Sequence, residues 1–191
     1  MVFTRLSNSY FPFLIYVVRK VNLIIFSRPY LFFPYINMRP KFKNIVVSGR
    51  TEIVIEGFPR SANTFAVAAF EYAQDREVRF ARHLHAPAQV IHSVRCRLPT
   101  IVLIRKPSDA VISLVIREKN ISLKLALESY IWFYKNILDY RDGFVVATFE
   151  QVVSDFSSII DRLNIRFDVS YKLFDYNSYN VGKIFGMGDD M

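Results

Sequence analysis

The sequence predicts an α/β fold of three layers, α/β/α, with a mostly parallel central sheet and a P-loop-like phosphate-binding turn. Three observations lead there. Apolar runs of strand length recur at Glu52–Glu56, Thr100–Ile104 and Gly143–Thr148, each bounded by Pro, Gly or charge. Longer amphipathic stretches at Asn63–Gln74, Ser108–Arg117, Leu123–Tyr140 and Asp155–Leu163 fall between and after them with helical periodicity. A Gly-Phe-Pro turn joins the first strand to the first helix. Strands alternating with helices argue for a parallel sheet covered on both faces.

Ahead of this domain, residues 1–50 form a hydrophobic and basic arm, and residues 51–191 carry the α/β pattern. The 191 residues suit one core, since domains run to roughly 100–200 residues. From Tyr10 to Ile36 the arm is dense in Phe, Tyr, Ile and Leu, but Arg19, Lys20 and Arg28 interrupt it and Pro12, Pro29 and Pro34 punctuate it. A spanning helix wants about 20 apolar residues, which neither Tyr10–Val18 nor Val21–Phe26 approaches. No small-residue cleavage pattern of a secretory signal follows. Two readings of the arm remain: packing on the core or a partner subunit, and attachment to a membrane surface through basic and aromatic residues.

Cys96 is the only cysteine, which rules out an intramolecular disulfide and predicts a reducing, cytoplasmic setting. A net charge of +8 predicts anionic partners, whether nucleic acid, an acidic membrane face or a phosphorylated small molecule.

The sharpest local signal is Gly57-Phe58-Pro59-Arg60-Ser61-Ala62-Asn63-Thr64-Phe65. Between strand and helix, free backbone N–H groups and the positive end of the helix dipole make a phosphate or sulfate site. Arg60 adds a cation, and Ser61, Asn63 and Thr64 add donors. The plain alternative is a helix start capped by Asn63 or Thr64. A P-loop nucleotidase would need Gly and Lys where Ala62 and Asn63 stand.

A second anion signal is Ile104-Arg105-Lys106-Pro107-Ser108-Asp109, with Ser113 about one turn into the next helix. Arg105 leaves the carboxyl end of a strand, where open α/β sheets place ligands. A guanidinium and a hydroxyl there would clamp a phosphate. The bland reading makes Asp109 a first-turn charge and Ser113 a solvent-facing residue.

All three histidines, His83, His85 and His92, lie with Cys96 between the two signals. A histidine of ordinary pKa near 6.5 suits the removal of an alcohol's proton at neutral pH. His83 and His85 on one face of a strand, with His92 and Cys96 at i, i+4 on a helix, would suit a metal instead. A structural role is the third reading.

Pro59-Arg60-Ser61-Ala62-Asn63-Thr64-Phe65 resembles the Pro-Lys-Ser-Gly-Thr-Thr-Trp loop of sulfotransferases that use 3'-phosphoadenosine 5'-phosphosulfate (PAPS). Arg105, Pro107, Asp109 and Ser113 match that family's Arg-x-Pro-x-Asp motif and the Ser four positions beyond. His85 and Pro87 match its Lys-Thr-His-x-Pro element, with His83 at the lysine position. The resemblance covers about Glu56 to Asp161, and Glu150 fits a further Tyr/Phe-Glu element of structural character. It implies sulfuryl transfer from PAPS to a hydroxyl acceptor without metal. His85, or else His83, would be the base, and Arg60 would steady the leaving oxygen. The turn from Pro59 to Phe65 would hold the 5'-phosphate, and Arg105 and Ser113 the 3'-phosphate, with Asp109 shaping the turn. The expected partners are that nucleotide and an acceptor, a carbohydrate or glycolipid by the argument that a greasy basic arm suits work at a membrane surface. No nucleic acid is expected. The family's Gly-rich Arg-Lys-Gly closing element has no counterpart in Val181–Met191, which reads as irregular. Two other readings are a P-loop-like kinase, which lacks a second acidic motif for Mg²⁺, and a basic membrane-surface or nucleic-acid-binding protein without turnover. Tyr130, Trp132, Phe133 and Tyr134 read as core, although one ring could stack on an adenine.

Overall fold

The computed structural model describes residues 12–118 and 120–188. The opening of the arm, residues 1–11, and the acidic tip, residues 189–191, lie outside the described residues. In chain order the elements are α1 (Pro12–Ser27), α2 (Pro29–Asn37), β1 (Ile53–Gly57), α3 (Asn63–Ala73), β2 (Phe80–Arg82), α4 (Pro87–Arg95), β3 (Thr100–Ile104), α5 (Pro107–Arg117), α6 (Leu123–Ile137), β4 (Val145–Thr148), α7 (Phe149–Ser154), α8 (Phe156–Phe167) and α9 (Ser178–Gly188). The strands form one parallel sheet in the order β2-β1-β3-β4. From β1 the chain first builds outward to β2 and then crosses back to β3, so a topological switch point lies between the carboxyl ends of β1 and β3. Open α/β sheets bind ligands in that crevice.

Side chains of alternate residues leave a strand on opposite faces, and each face here has its own helical cover. Ile53, Ile55, Ile101, Leu103, Val145 and Ala147 pack with Phe70 of α3, Ile159 and Leu163 of α8 and Ile184 of α9. Val102 packs on the other face with Val90 and Ile91 of α4, Val111 and Leu114 of α5 and Phe133 of α6. This gives the three layers. Local sequence fixes several boundaries. Ser122 caps α6 by accepting from Leu125 N at 3.2 Å, and Thr148 with Gln151 makes a capping box at α7.

Several boundaries differ from the sequence expectation; the helix expected over Asp155–Leu163, for one, runs from Phe156 to Phe167. The helix expected to reach Tyr140 ends at Ile137, and Leu138–Gly143 is a 3-10 turn. The strand expected from Gly143 starts at Val145 because Gly143 lies hard against α4, where a Cβ would meet Val94 Cγ1 at 2.2 Å. The closing segment expected to be irregular is helix α9. Despite Gly182 and Gly186, Val181, Ile184 and Phe185 present one apolar face, and Ile184 is buried in the core beside α3.

The inner face of the arm is part of the core. Phe32 and Ile36 of α2 pack with Phe42, Val46, Leu84, Ala86 and Ala88. Helix α1 is tied to α6 by Lys20 and Glu128 at 2.8 Å and by Trp132 Nε1 donating to Leu23 O at 3.0 Å. No described helix is long and apolar enough to cross a membrane.

Candidate functional site

The turn after β1 curls because alternate residues take left-handed backbone angles, Arg60 at φ 69° and Ala62 at φ 65°. Such a turn is concave and directs backbone N–H groups inward, as anion-binding nests do. The first N–H groups of α3 have no acceptor within the helix and open onto the same hollow. Gly57 is required by close approach: a Cβ there would meet Leu103 O at 2.5 Å and Leu103 Cβ at 2.8 Å across the β1–β3 pair.

The helix start is not capped as the sequence suggested. Ala62 occupies the cap position and no side chain accepts there. Asn63 is the first helical residue, and its amide donates to Phe58 O at 3.0 Å, bracing the turn from inside. Ser61 is fully buried, turned away from the cleft that Pro59, Arg60, Ala62, Asn63, Thr64 and Phe65 line. Thr64 is exposed at its edge.

Arg105 leaves β3 beside this turn and joins the two anion signals physically. Its guanidinium donates to Arg60 O at 3.1 Å and lies over the Phe149 ring at 4.0 Å. Arg60 Nε in turn donates to Ser113 Oγ at 2.9 Å. Tyr130 OH donates to Arg105 O at 2.7 Å, and Tyr134 OH to Leu103 O at 2.8 Å. These hydroxyls brace the carboxyl end of β3, and the Trp132 N–H is committed to Leu23 O. Asp109 accepts from Ser108 Oγ at 2.9 Å in the first turn of α5. Arg117 was not singled out in the sequence, yet with Asp109 and Ser113 it completes an i, i+4, i+8 row along α5. All three residues line a hollow of about 480 Å³ with Arg60 and Arg105. Burial and the like charges of Arg117 and Arg105 hold the Arg60 guanidinium below its usual range. Glu150 stands exposed in the first turn of α7.

His83 and His85 are not on a strand: β2 ends at Arg82, and both histidines are left-handed, at φ 58° and 51°. The rings lie 6.4 Å apart between centroids and line, with Arg60, Arg105 and Arg117, a cleft of about 740 Å³. His85 Nδ1 lies 2.7 Å from Gly57 O. A carbonyl only accepts, so Nδ1 carries the proton and Nε2 keeps its lone pair. Burial pushes His85 down from 6.5 to about 3, against the pull of the Gly57 carbonyl. It also lowers His83, with Arg82 adding to the shift. Buried polar atoms without a hydrogen bond include Asn63 Oδ1 and His83 Nε2.

The left-handed stretch is held by Glu56, which sequence reading took only as a strand end. Fully buried at the end of β1, its carboxylate accepts from Leu84 N at 2.9 Å, His85 N at 2.9 Å and Gln89 Nε2 at 2.8 Å. Gln89 passes the link to the arm by accepting from Val47 N at 2.9 Å. Desolvation raises Glu56 from 4.5 to about 7 against those three donors.

His92 and Cys96 do lie together at the end of α4, 3.5 Å apart, but His92 packs at a tilt against Phe33 of α2, 4.6 Å between centroids. Among the described residues, no three His, Cys, Asp or Glu side chains gather to hold a metal. Compared with protein-family models, with curated proteins and with solved structures, the chain matches none.

Proposed function

We propose that the chain transfers a sulfuryl group from PAPS to a hydroxyl acceptor. The observation that supports this most is the meeting, at the switch point of the sheet, of the concave turn, Arg60, Arg105 and a neutral His85 in one cleft, with Ser113 tied to Arg60 from the adjoining hollow. The acceptor oxygen attacks sulfur in line, its proton passes to His85 Nε2, and the bond from sulfur to the bridging oxygen breaks. The electron pair leaves on the 5'-phosphate, where Arg60 and the turn's N–H groups offset the charge. Positioning and preorganised donors supply most of the rate, as in phosphoryl transfer. Burial keeps His85 in the unprotonated state that a base needs, and an anion bound beside it raises its affinity for the proton. Arg105 and Ser113 hold the 3'-phosphate. Ser61 serves this scheme through its backbone N–H, because its side chain is buried; the Asn63 amide is likewise spent within the turn.

The test is thermal unfolding with 3'-phosphoadenosine 5'-phosphate, with and without Mg²⁺, against ATP and AMP. At 100 times its dissociation constant the bisphosphate stabilises the native state by about 2.7 kcal/mol, roughly 5–10 °C for a chain of this size. The expected result is a metal-independent shift that disappears in Arg105→Ala. No shift from folded protein refutes the reading, and an ATP shift that needs Mg²⁺ turns it to a kinase.

We also propose that the outer face of the arm rests on an anionic membrane surface on the cytoplasmic side, a setting in keeping with the lone thiol Cys96. Val17, Val21 and Ile24 are exposed at i, i+4, i+7 on α1. Arg28 continues that stripe, Tyr30 and Met38 are exposed on and just beyond α2, and Lys41 and Lys43 follow, exposed as well. Apolar side chains ringed by cations suit lipid headgroups of opposite charge.

A further inference from the structure

His85 stands between two spaces. One is the arginine-lined cleft; the other is a slot of about 40 Å³ on its far side, walled by Leu23 and Phe26 of α1, Phe58 of the turn, Leu84, and Trp132 and Phe133 of α6. The polar groups of that wall are largely spent. Trp132 Nε1 is bonded to Leu23 O and Ser129 Oγ to Leu125 O at 2.7 Å. Asn22 and the His85 ring remain to meet a ligand's polar atom. At 10–15 Å³ for each water-sized sphere, the slot takes about three in single file.

Resting on the sulfuryl-transfer reading, we infer that the acceptor is an alcohol on a slim apolar body, an alkyl chain, whose hydroxyl-bearing end lies in this slot with the hydroxyl at His85 Nε2. The arm is then a wall of the acceptor site as well as an anchor. A chain end fills the slot with methylenes and presents one hydroxyl to the one free imidazole nitrogen. A sugar ring brings several hydroxyls to a wall whose partners are already engaged, and each left unbonded weakens binding roughly tenfold or more. Access also follows: the inner side of α1 lines the slot while its outer side carries Val17, Val21 and Ile24, so a lipid alcohol reaches His85 along one helix.

Trp132 is the only tryptophan of the chain and lines the slot, so the unmodified protein carries its own reporter. Titration with 8-bromo-1-octanol is expected to quench its emission saturably, with reversal by 1-octanol and none by methyl glucoside. Unsaturable quenching, or displacement by the glucoside, overturns the inference. Leu23→Phe, which narrows the slot, is expected to weaken the quenching at least tenfold while leaving the bisphosphate thermal shift intact; unchanged quenching in this variant also overturns it. Labelled sulfate transfer from PAPS separates the two proposals. Transfer to the glucoside and not to octanol sinks the acceptor class and keeps the transferase. Saturable octanol binding with no bisphosphate shift sinks the transferase and keeps the slot.

Discussion

Replacing Glu56 with Gln tests the scaffold that aims His85. The carboxylate is fully buried and accepts three N–H bonds, so two effects oppose each other. Desolvation favours the protonated form and the donors favour the ionised one; desolvation wins, raising the group from 4.5 to about 7. A folded-state value above the unfolded one gives stability that is complete at low pH and is lost as pH rises from about 4.5 through about 7. At about 1.4 kcal/mol per pH unit the loss is about 3 kcal/mol. His85 acts in the opposite sense: its depressed value means stability lost as pH falls below 6.5. That contribution is common to both proteins and cancels in their difference. Urea unfolding of wild type and Glu56→Gln at pH 5, 6, 7 and 8 therefore isolates the carboxyl. Near pH 5 the variant is expected to be the less stable, because its fixed NH₂ must face one of the three N–H donors, at about 1–3 kcal/mol. The gap is expected to close or reverse by pH 8. A difference independent of pH, at unchanged denaturant slope, refutes the reasoning and makes Glu56 a carboxylate held ionised by its three donors.

Gly57→Ala drives a methyl group into Leu103 O and Leu103 Cβ, and is expected to lower stability by about 1–3 kcal/mol; an unchanged Tm would mean that the β1–β3 approach is looser than described. His85→Gln is expected to cut transfer roughly a hundred- to ten-thousand-fold with bisphosphate binding retained, whereas His83→Gln costs less than tenfold; the reverse order makes His83 the base. Cosedimentation with phosphatidylserine vesicles is expected for wild type, to weaken in high salt and to fail for the Val21→Glu, Ile24→Glu pair. Equal recovery of this pair with the vesicles rules out the outer face of α1 as the membrane contact.

The readable parts of the site were those whose chemistry lies in contiguous residues at strand ends. The turn from Gly57 to Phe65 and the pair Arg105 and Ser113 declare themselves because strand-to-helix junctions and one-turn spacings place side chains without knowledge of the tertiary fold. Arg117 was equally readable, one turn beyond Ser113 on the face that Asp109 begins. Glu56 was not, because a carboxylate at a strand end reads as a boundary, and only the packing of α4 on the sheet brings Gln89 to it. Nor were the backbone angles of Arg60, Ala62, His83 and His85: Gly signals a left-handed turn, while Ala, Arg and His carry no such signal. The three-residue strand β2 escapes periodicity by its shortness, and α9 hides behind two glycines that would be costly in a helix not held by α3.

Several breaks with local rules in this chain fall around one crevice. Four of the six described non-glycine residues with positive φ border the cleft. A fully buried carboxylate supports it, polar atoms of Asn63 and His83 go unbonded in it, and Arg60, Arg105 and Arg117 crowd together there, with like charge depressing Arg60. Left-handed residues cost about 1–2 kcal/mol each. Elsewhere the sheet alternates faces, and helices are capped by Ser122, Thr148 and Asp155. Strain gathered around one crevice is a pointer to function there. The charge suits an anionic ligand, as the proposed transfer requires. Arg60, Arg105 and Arg117 line one cleft at the end of a parallel sheet, and under the proposed transfer a bound phosphate or sulfate would offset their like charges. Arg105 bonded to the backbone of Arg60, and Arg60 bonded to Ser113, join the two anion signals into one unit. A bisphosphorylated nucleotide, with charge at both ends of one ribose, is the chemistry that such a unit would distinguish from a single phosphate.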